Sequence, residues 1–390
     1  MMSSMGAGAG SGRIDYIDIA RLYAMAMVFY GHIVERVMQL NDPTAATLYK
    51  FVYSFHMVLF FVLSGFIANE DRLGIGARNY LKLQFYSRLA PFIFFTLVFM
   101  VLAAIFPGDF FHLELPSLKG YVDGLVMTGL GIPMFCVPSW FLLMLFSVEM
   151  IHFFAYRFLR LEDERGQGNL KILIAIPAFY IAGYFLNLYG DFLNPARQRF
   201  FNFLFVHEAV TMYAFYLLGV CLRRRNFLIG PARLQLLMPF AVLAFLVVLF
   251  TFNLNRGPFN FNYFNSVFIM MSSHGNIFWF PFTAFAGSLF VLLLGKITPV
   301  QKTINWMGQN TLILMCLNGI FYHFINPVAG KWVHSYFTGQ PLMIFLSCLF
   351  ITVISLIFCI PFIKLFNKYV PQLTGKPKAD GPWLKPFITA

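Results

Sequence analysis

Apolar runs of about 18 to 22 residues recur along this chain between short polar segments, and each is long enough for a helix to cross a hydrocarbon layer. Ten can be marked, near 17–38, 51–68, 89–106, 134–156, 171–189, 203–221, 235–253, 276–295, 307–326 and 342–363. The pattern predicts an all-α fold, a polytopic membrane bundle of about ten transmembrane helices. No cleavable signal sequence is expected, because MMSSMGAGAGSG is small and polar and the first run is long enough to span. That run is read as a signal anchor.

Charge tests the count. With the amino terminus cytoplasmic, the inner segments hold Arg13, then Arg72, Arg78, Lys82 and Arg88, then Arg157, Arg160, Arg165 and Lys171. Further along come Arg223, Arg224, Arg225 and Arg233, then Lys296 and Lys302, then Lys364, Lys368, Lys376, Lys378 and Lys385. Of the 28 basic residues, only Arg36, Lys50, Lys119, Arg197, Arg199, Arg256 and Lys331 fall outside or at outer span ends, and Arg21 falls within a span. One span more or fewer would scramble this alternation, so both termini are placed in the cytoplasm.

Composition fits a chain that meets lipid on most sides. Hydrophobic residues make up 59% of it and charged residues 11%, with 51 phenylalanines. The net charge of +12 follows from the orientation bias and implies contact with anionic lipid headgroups, so no nucleic acid partner is expected. The expected location is the cytoplasmic (inner) membrane, multi-pass. Cys136, Cys221, Cys316, Cys348 and Cys359 lie scattered in or beside spans without a C-x-x-C pair, which points to packing and to neither a disulfide framework nor a metal site.

The chain divides into a flexible N-terminal segment, 1–16, a ten-span membrane domain, 17–366, and a basic cytoplasmic tail, 367–390, with too few apolar residues for a core of its own. Two outer connections, 107–133 and 254–275, mix aromatic, Asn and Gly residues with apolar stretches too short to span. They are candidate walls of an outward-facing cleft. No internal repeat is evident at the level of residues.

Within the first span, Arg21 and His32 stand eleven positions apart, about 20° apart in azimuth and roughly 16 Å apart along a helix. Ionisable groups inside a bilayer cost a few kcal/mol each on insertion scales, so a retained pair is a functional-site hypothesis. The plainer alternative has Arg21 snorkelling to the interface and His32 hydrogen-bonded in packing.

The second span reads FHMVLFFVLSGFIA from Phe55 to Ala68, and YSRLAPF follows from Tyr86. With the Asp-x-x-Arg-x10-His pattern of Asp18, Arg21 and His32, these segments resemble the integral-membrane acyltransferase family 3, the carbohydrate O-acyltransferases. Phe60, Phe61, Ser64, Gly65 and Phe66 match its Phe-Phe-x-x-Ser-Gly-Phe segment, Arg88 and Pro91 its Arg-Leu-x-Pro, Trp140 its Trp-Phe-Leu, and Gly308 to Leu312 its Gly-x-Asn-Ser/Thr-Leu. The resemblance runs over essentially the whole chain and rests on the ordered set. GQNTLILMCLNG brings it nearest the fucose O-acetylase-like sugar acetylases. Two departures stand out. Phe85 occupies the first position of the usual Arg-x-x-Arg, with Lys82 the nearest earlier cation, and Asn318 stands where many members carry a late His.

The resemblance implies an O-acyltransferase, most often an O-acetyltransferase, that moves acetyl from acetyl-CoA to a sugar hydroxyl at the outer face. The implied partners are a glycan acceptor, membrane lipids and a polysaccharide synthesis or export complex. On that reading Arg21, Lys82 and Arg88 hold the donor phosphates, Ser64 lies with the donor, and Asp18 pairs with Arg21. His32 is the general base, and Glu35 orients its ring or stabilises the imidazolium. His56, Trp140, Glu149, His274 and Asn276 are the acceptor-side candidates. Structural readings stand beside the functional ones: positive-inside orientation for Arg88, interfacial water for Glu35, a packing contact for His56, an interfacial aromatic for Trp140, and a buried hydrogen bond for Glu149. Asn310 and Asn318 read as helix contacts. The competing class is a proton-coupled transporter or exporter of a glycan or lipid-linked sugar, which a ten-span bundle with buried His, Glu and Asn also suits.

Overall fold

The computed structural model describes residues 14–110, 113–162, 167–189, 203–231, 233–255, 266–271 and 274–388. Arg13, Arg165, Arg197, Arg199, Arg256 and parts of both outer connections lie outside these residues.

Among the described residues, ten helical stretches are long and apolar enough to cross a membrane, as the hydrophobic pattern predicts. The first is α1 (Asp15–Met38). The second is broken into α2 (Pro43–Tyr53) and α3 (His56–Phe66). The third joins α4 (Ala77–Gln84) to α5 (Ala90–Ile105) through a π-turn at Phe85–Leu89. A short helix, α6 (Leu118–Gly129), follows in the outer connection, then α7 (Trp140–Phe158), α8 (Gln167–Tyr189), α9 (Val206–Arg224), α10 (Leu234–Thr251) and α11 (Trp279–Ile297). The short α12 (Lys302–Gln309) precedes the ninth span, where α13 (Thr311–Ile320) passes through a π-turn at Phe321–Ile325 into α14 (Asn326–Phe337). The tenth is α15 (Pro341–Tyr369).

Four of these spans run past the apolar stretches marked in the sequence. The second begins at Pro43, the third at Ala77, and the ninth and tenth run on to Phe337 and Tyr369. Hydropathy finds the hydrocarbon-embedded part, whereas helices continue into the interface wherever their backbone bonds and caps remain satisfied. At α2 the cap is Asp42, whose side chain accepts from the Ala45 amide at 2.8 Å, with Pro43 in the first turn.

Helix α1 is the hub, packing on α2, α3, α11, α12, α13, α14 and α15. Its most apolar window is 78% buried inside the protein, against 22% for α10 and 28% for α15, so polar chemistry is sheltered along α1 while α10 and α15 face the surroundings. Two close approaches set the geometry. A Cβ added to Gly65 would lie 1.9 Å from the Tyr216 carbonyl oxygen, and one on Gly219 2.0 Å from that of Val62, so α3 and α9 cross backbone to backbone. A Cβ on Gly308 would lie 1.9 Å from the Asp18 carbonyl oxygen, which explains the glycine that opens the Gly-Gln-Asn-Thr-Leu segment.

The segment after α15 packs back onto the bundle. Gln372 is fully buried and donates to the Ala379 and Leu384 carbonyls at 3.0 and 2.6 Å, and Phe387 meets the Tyr86 ring at 5.0 Å. Lys376 donates to Asn310 and Asn367 at 3.0 and 2.6 Å. The basic tail therefore docks beside the π-turn of the third span, because its few polar side chains take up carbonyls and amide oxygens that helix ends leave open. Asn310 acts as a helix contact, also accepting from Asn367 at 2.8 Å.

Candidate functional site

An even number of spans puts both described ends on one face, here the terminal face. His32, four turns or more along α1, lies nearer the opposite face.

The ring of His32 is buried, and its Nδ1 meets Asn318 Oδ1 on α13. An amide oxygen can only accept, so Nδ1 carries the proton and Nε2 keeps its lone pair. The Tyr322 ring packs edge-on to His32 with centroids 4.9 Å apart. Tyr322 sits on the π-turn of the ninth span, one turn beyond Asn318, so both reach α1 from the same face.

Among the described residues no hydrogen bond joins Glu35, the candidate for orienting the ring or stabilising the imidazolium, to His32. Its carboxylate faces Tyr53 and Tyr322, whose hydroxyls donate at 3.5 and 3.4 Å, and Gln39 Nε2, which donates at 3.4 Å. The ring's partner is Asn318 because three residues along a helix carries Glu35 toward α2, whereas α13 packs directly over His32. Glu35 nonetheless belongs to the same group through the shared Tyr322.

His56 joins this group from the break between α2 and α3. The break frees carbonyls at the end of α2, and His56 Nδ1–H donates to that of Val52 at 2.8 Å. A carbonyl partner again fixes the tautomer and leaves Nε2 as an acceptor. The ring packs on Tyr53 at 4.6 Å.

A clamp closes the group toward the opposite face. Arg36, one turn beyond His32, donates from Nη1 to Asp109 Oδ2 at 2.6 Å and from Nη2 to the Tyr322 carbonyl at 3.0 Å. Its side chain is 6% exposed and that of Asp109 46%, so the bond spans from the interior to the rim. His323 Nδ1–H donates to the Asp109 carbonyl at 2.7 Å and its own carbonyl accepts from the Asp109 amide at 2.8 Å. The outer connection is thus pinned over α1 at 107–110. Asn318 as ring partner, Tyr53, Tyr322, Arg36 and Asp109 are not singled out by sequence reasoning. Helical spacing gives a signal for Arg36, four residues after His32, and for Tyr322, four after Asn318; Asp109 is brought in only by the loop.

The remaining candidates lie elsewhere. Arg88 donates to both oxygens of Glu149 at 2.9 and 2.6 Å, a bidentate pair linking the π-turn of the third span to α7, with side chains 24% and 7% exposed. Glu149, expected on the acceptor side, is therefore joined to a donor-side candidate. Arg21 is 3.7 Å from Asp18, the expected pair. Ser64 is half-buried on α3, and Lys82 is exposed on α4. Trp140 packs edge-on against Phe205 at 6.0 Å where α7 begins.

His274 is fully buried with Nε2 2.6 Å from Glu208 Oε2, itself fully buried. Asn276 caps α11, accepting from the Phe278 and Trp279 amides at 2.9 and 3.1 Å, while its amide donates to Asn255 at 2.6 Å. None of these partners belongs to the His32 group. A cavity of about 750 Å³ between α7, α8 and the start of α9 is lined almost entirely by apolar side chains such as Phe154, Phe179 and Leu204, away from that group.

The arrangement offers two buried imidazoles with fixed tautomers and free Nε2 lone pairs, a carboxylate held by two phenols, and a guanidinium-carboxylate clamp above them. Such a group can take a proton from a hydroxyl brought against it, and it can hold polar oxygens in place.

A family model described as an acyltransferase domain matches residues 14–362. No curated protein and no solved structure matches the chain.

Proposed function

Since the chain belongs to acyltransferase family 3 and is a membrane acyltransferase, we propose that it carries an acetyl group from cytoplasmic acetyl-CoA to a hydroxyl of an extracytoplasmic glycan, with His32 as the general base. The observation that carries this reading is the bond from His32 Nδ1 to Asn318, which leaves Nε2 as the proton acceptor in a sheltered site.

The acceptor oxygen attacks the thioester carbonyl as its proton passes to His32 Nε2. The tetrahedral intermediate then expels the coenzyme A thiolate, which recovers the proton from the imidazolium. His56 and Glu35, with Tyr53 and Tyr322, hold the acceptor hydroxyls, and Arg36 with Asp109 keeps the site in register. The Gly308–Gly319 segment supports an acceptor class like that of the fucose O-acetylases, and the basic bias of the terminal face supports a cytoplasmic donor in the inner membrane.

The test is release of coenzyme A from labelled acetyl-CoA by the protein in proteoliposomes, with and without a candidate glycan and with His32→Ala as control. Label transfer that needs both His32 and the glycan is the expected result. Protein-dependent passage of intact labelled glycan across the vesicle, without transfer, would replace this reading with that of an exporter.

A further inference from the structure

A donor with phosphates at one end needs cations gathered on the terminal face, and Arg21 is engaged 3.7 Å from Asp18. Arg88 gives its guanidinium fork to Glu149, and Lys82 stands exposed on α4. A cavity of about 490 Å³ opens elsewhere on that face. It lies between the first turn of α1, the end of α9 with the following loop, and the end of α11, and Arg223, Lys296, Asp15, Asn226 and Thr298 give it its polar lining.

Arg223 is the distinctive member. Among the described residues its guanidinium has no hydrogen bond or ion pair, and it lies over the Phe66 ring, 5.9 Å from Cζ to centroid. Lys296 is fixed at the wall, donating to the Gly230 carbonyl at 2.7 Å and lying 5.3 Å from the Tyr16 ring centroid. Asp15, the one acid in the lining, accepts from Asn305 at 2.6 Å. The lining therefore keeps a net positive charge. The first turn of the 24-residue α1 adds amides that precede its first internal bond, from the Ile17 amide to the Ile14 carbonyl at 3.0 Å. Gly295 lets the α11 backbone approach here: a Cβ on it would lie 2.7 Å from the Tyr16 carbonyl oxygen.

Position along α1 adds a second argument. From Asp15 the helix leads past Arg21, about 9 Å further, to His32, about 25 Å away. The cavity and the proposed base thus lie on one helix, at a separation that a long ligand can span.

We propose that this cavity binds the phosphate-bearing nucleotide end of the acyl donor, with Arg223 as the group that engages the phosphates. The proposal rests on the coenzyme A donor reading for the identity of the ligand. A phosphate also occurs in lipid headgroups, and the experiment separates the two sources.

The probe is labelled adenosine 3′,5′-bisphosphate, measured by equilibrium binding to the full chain in neutral phosphatidylcholine nanodiscs. Arg223→Gln should weaken binding about ten- to a hundredfold, the loss expected for hydrogen bonds to a charged group. Arg225→Gln, the same charge change at an exposed neighbour, should leave it intact. Unchanged melting of Arg223→Gln would confirm that it folds, and Arg223→Lys should recover part of the affinity. Equal binding by wild type and Arg223→Gln overturns the site while leaving the donor reading in place. Absence of both bisphosphate and acetyl-CoA binding to the wild type removes the donor reading and the site with it. If Arg223→Gln instead loses co-purifying phosphatidylglycerol while bisphosphate binding stays unchanged, the cavity is a lipid headgroup site and the proposal falls.

Discussion

Two buried histidines in this bundle have opposite surroundings. His274 faces the carboxylate of Glu208 at 2.6 Å, with both side chains fully buried, whereas His32 faces the neutral amide of Asn318 and lies beside phenols and a second imidazole. A carboxylate partner ties its histidine into a buried pair whose main effect is on stability. An amide partner fixes only the tautomer and leaves a lone pair able to accept a proton. Burial alone does not distinguish the two sites; the chemistry of the partner does.

The sharpest way to break this comparison is to remove each imidazole in turn. His32→Ala should lower acyl transfer by about 10²- to 10⁴-fold, the range general-base groups contribute, with little change in melting. Initial rates in proteoliposomes measure it, and wild-type turnover in the variant would sink the general-base role. For His274→Ala the expectation reverses. Thermal unfolding in detergent should show a loss of about 3–5 kcal/mol from the stranded Glu208, with the rate per folded molecule retained. A rate loss matching that of His32→Ala would erase the distinction.

Smaller changes sharpen it. Asn318→Leu removes the acceptor that holds Nδ1–H and should lower kcat by about ten- to a hundredfold while KM for the donor stays put. An unchanged kcat would mean the tautomer is held by something else. Glu35→Gln should cost less than about tenfold, since its bonds to Tyr53 and Tyr322 are long, at 3.5 and 3.4 Å. A loss as deep as that of His32→Ala would return the orienting role to Glu35.

The contrast also shows which site features are visible in the sequence. His32 is legible because a polar residue in a hydrophobic window stands out and because the motif order matches a known family. His274 stands out for the same reason and reads as an acceptor-side candidate, since its spacing gives no hint of Glu208, 66 positions away. Glu149 and Arg88 carry signals of charge within or beside spans, yet only the packing of α7 on the π-turn of the third span makes them a pair. Asn318 reads as a helix contact, and it is one; its contact happens to be the ring that matters.

The sequence by itself determined the ten spans and the two polar positions, Arg21 and His32, on the first of them. These follow from the cost of leaving backbone and charge in hydrocarbon, a local property that each segment satisfies alone. Only the tertiary structure decided which acid meets which base, which imidazole keeps a lone pair, and how the tail and the 107–110 connection dock. Those depend on distances of a few ångströms between residues as far apart as His32 and Asn318, set by helix crossings such as Gly308 on Asp18 and Gly65 on Tyr216. Hydrophobic periodicity tells a helix to span, but carries no information on which neighbour its polar face will find.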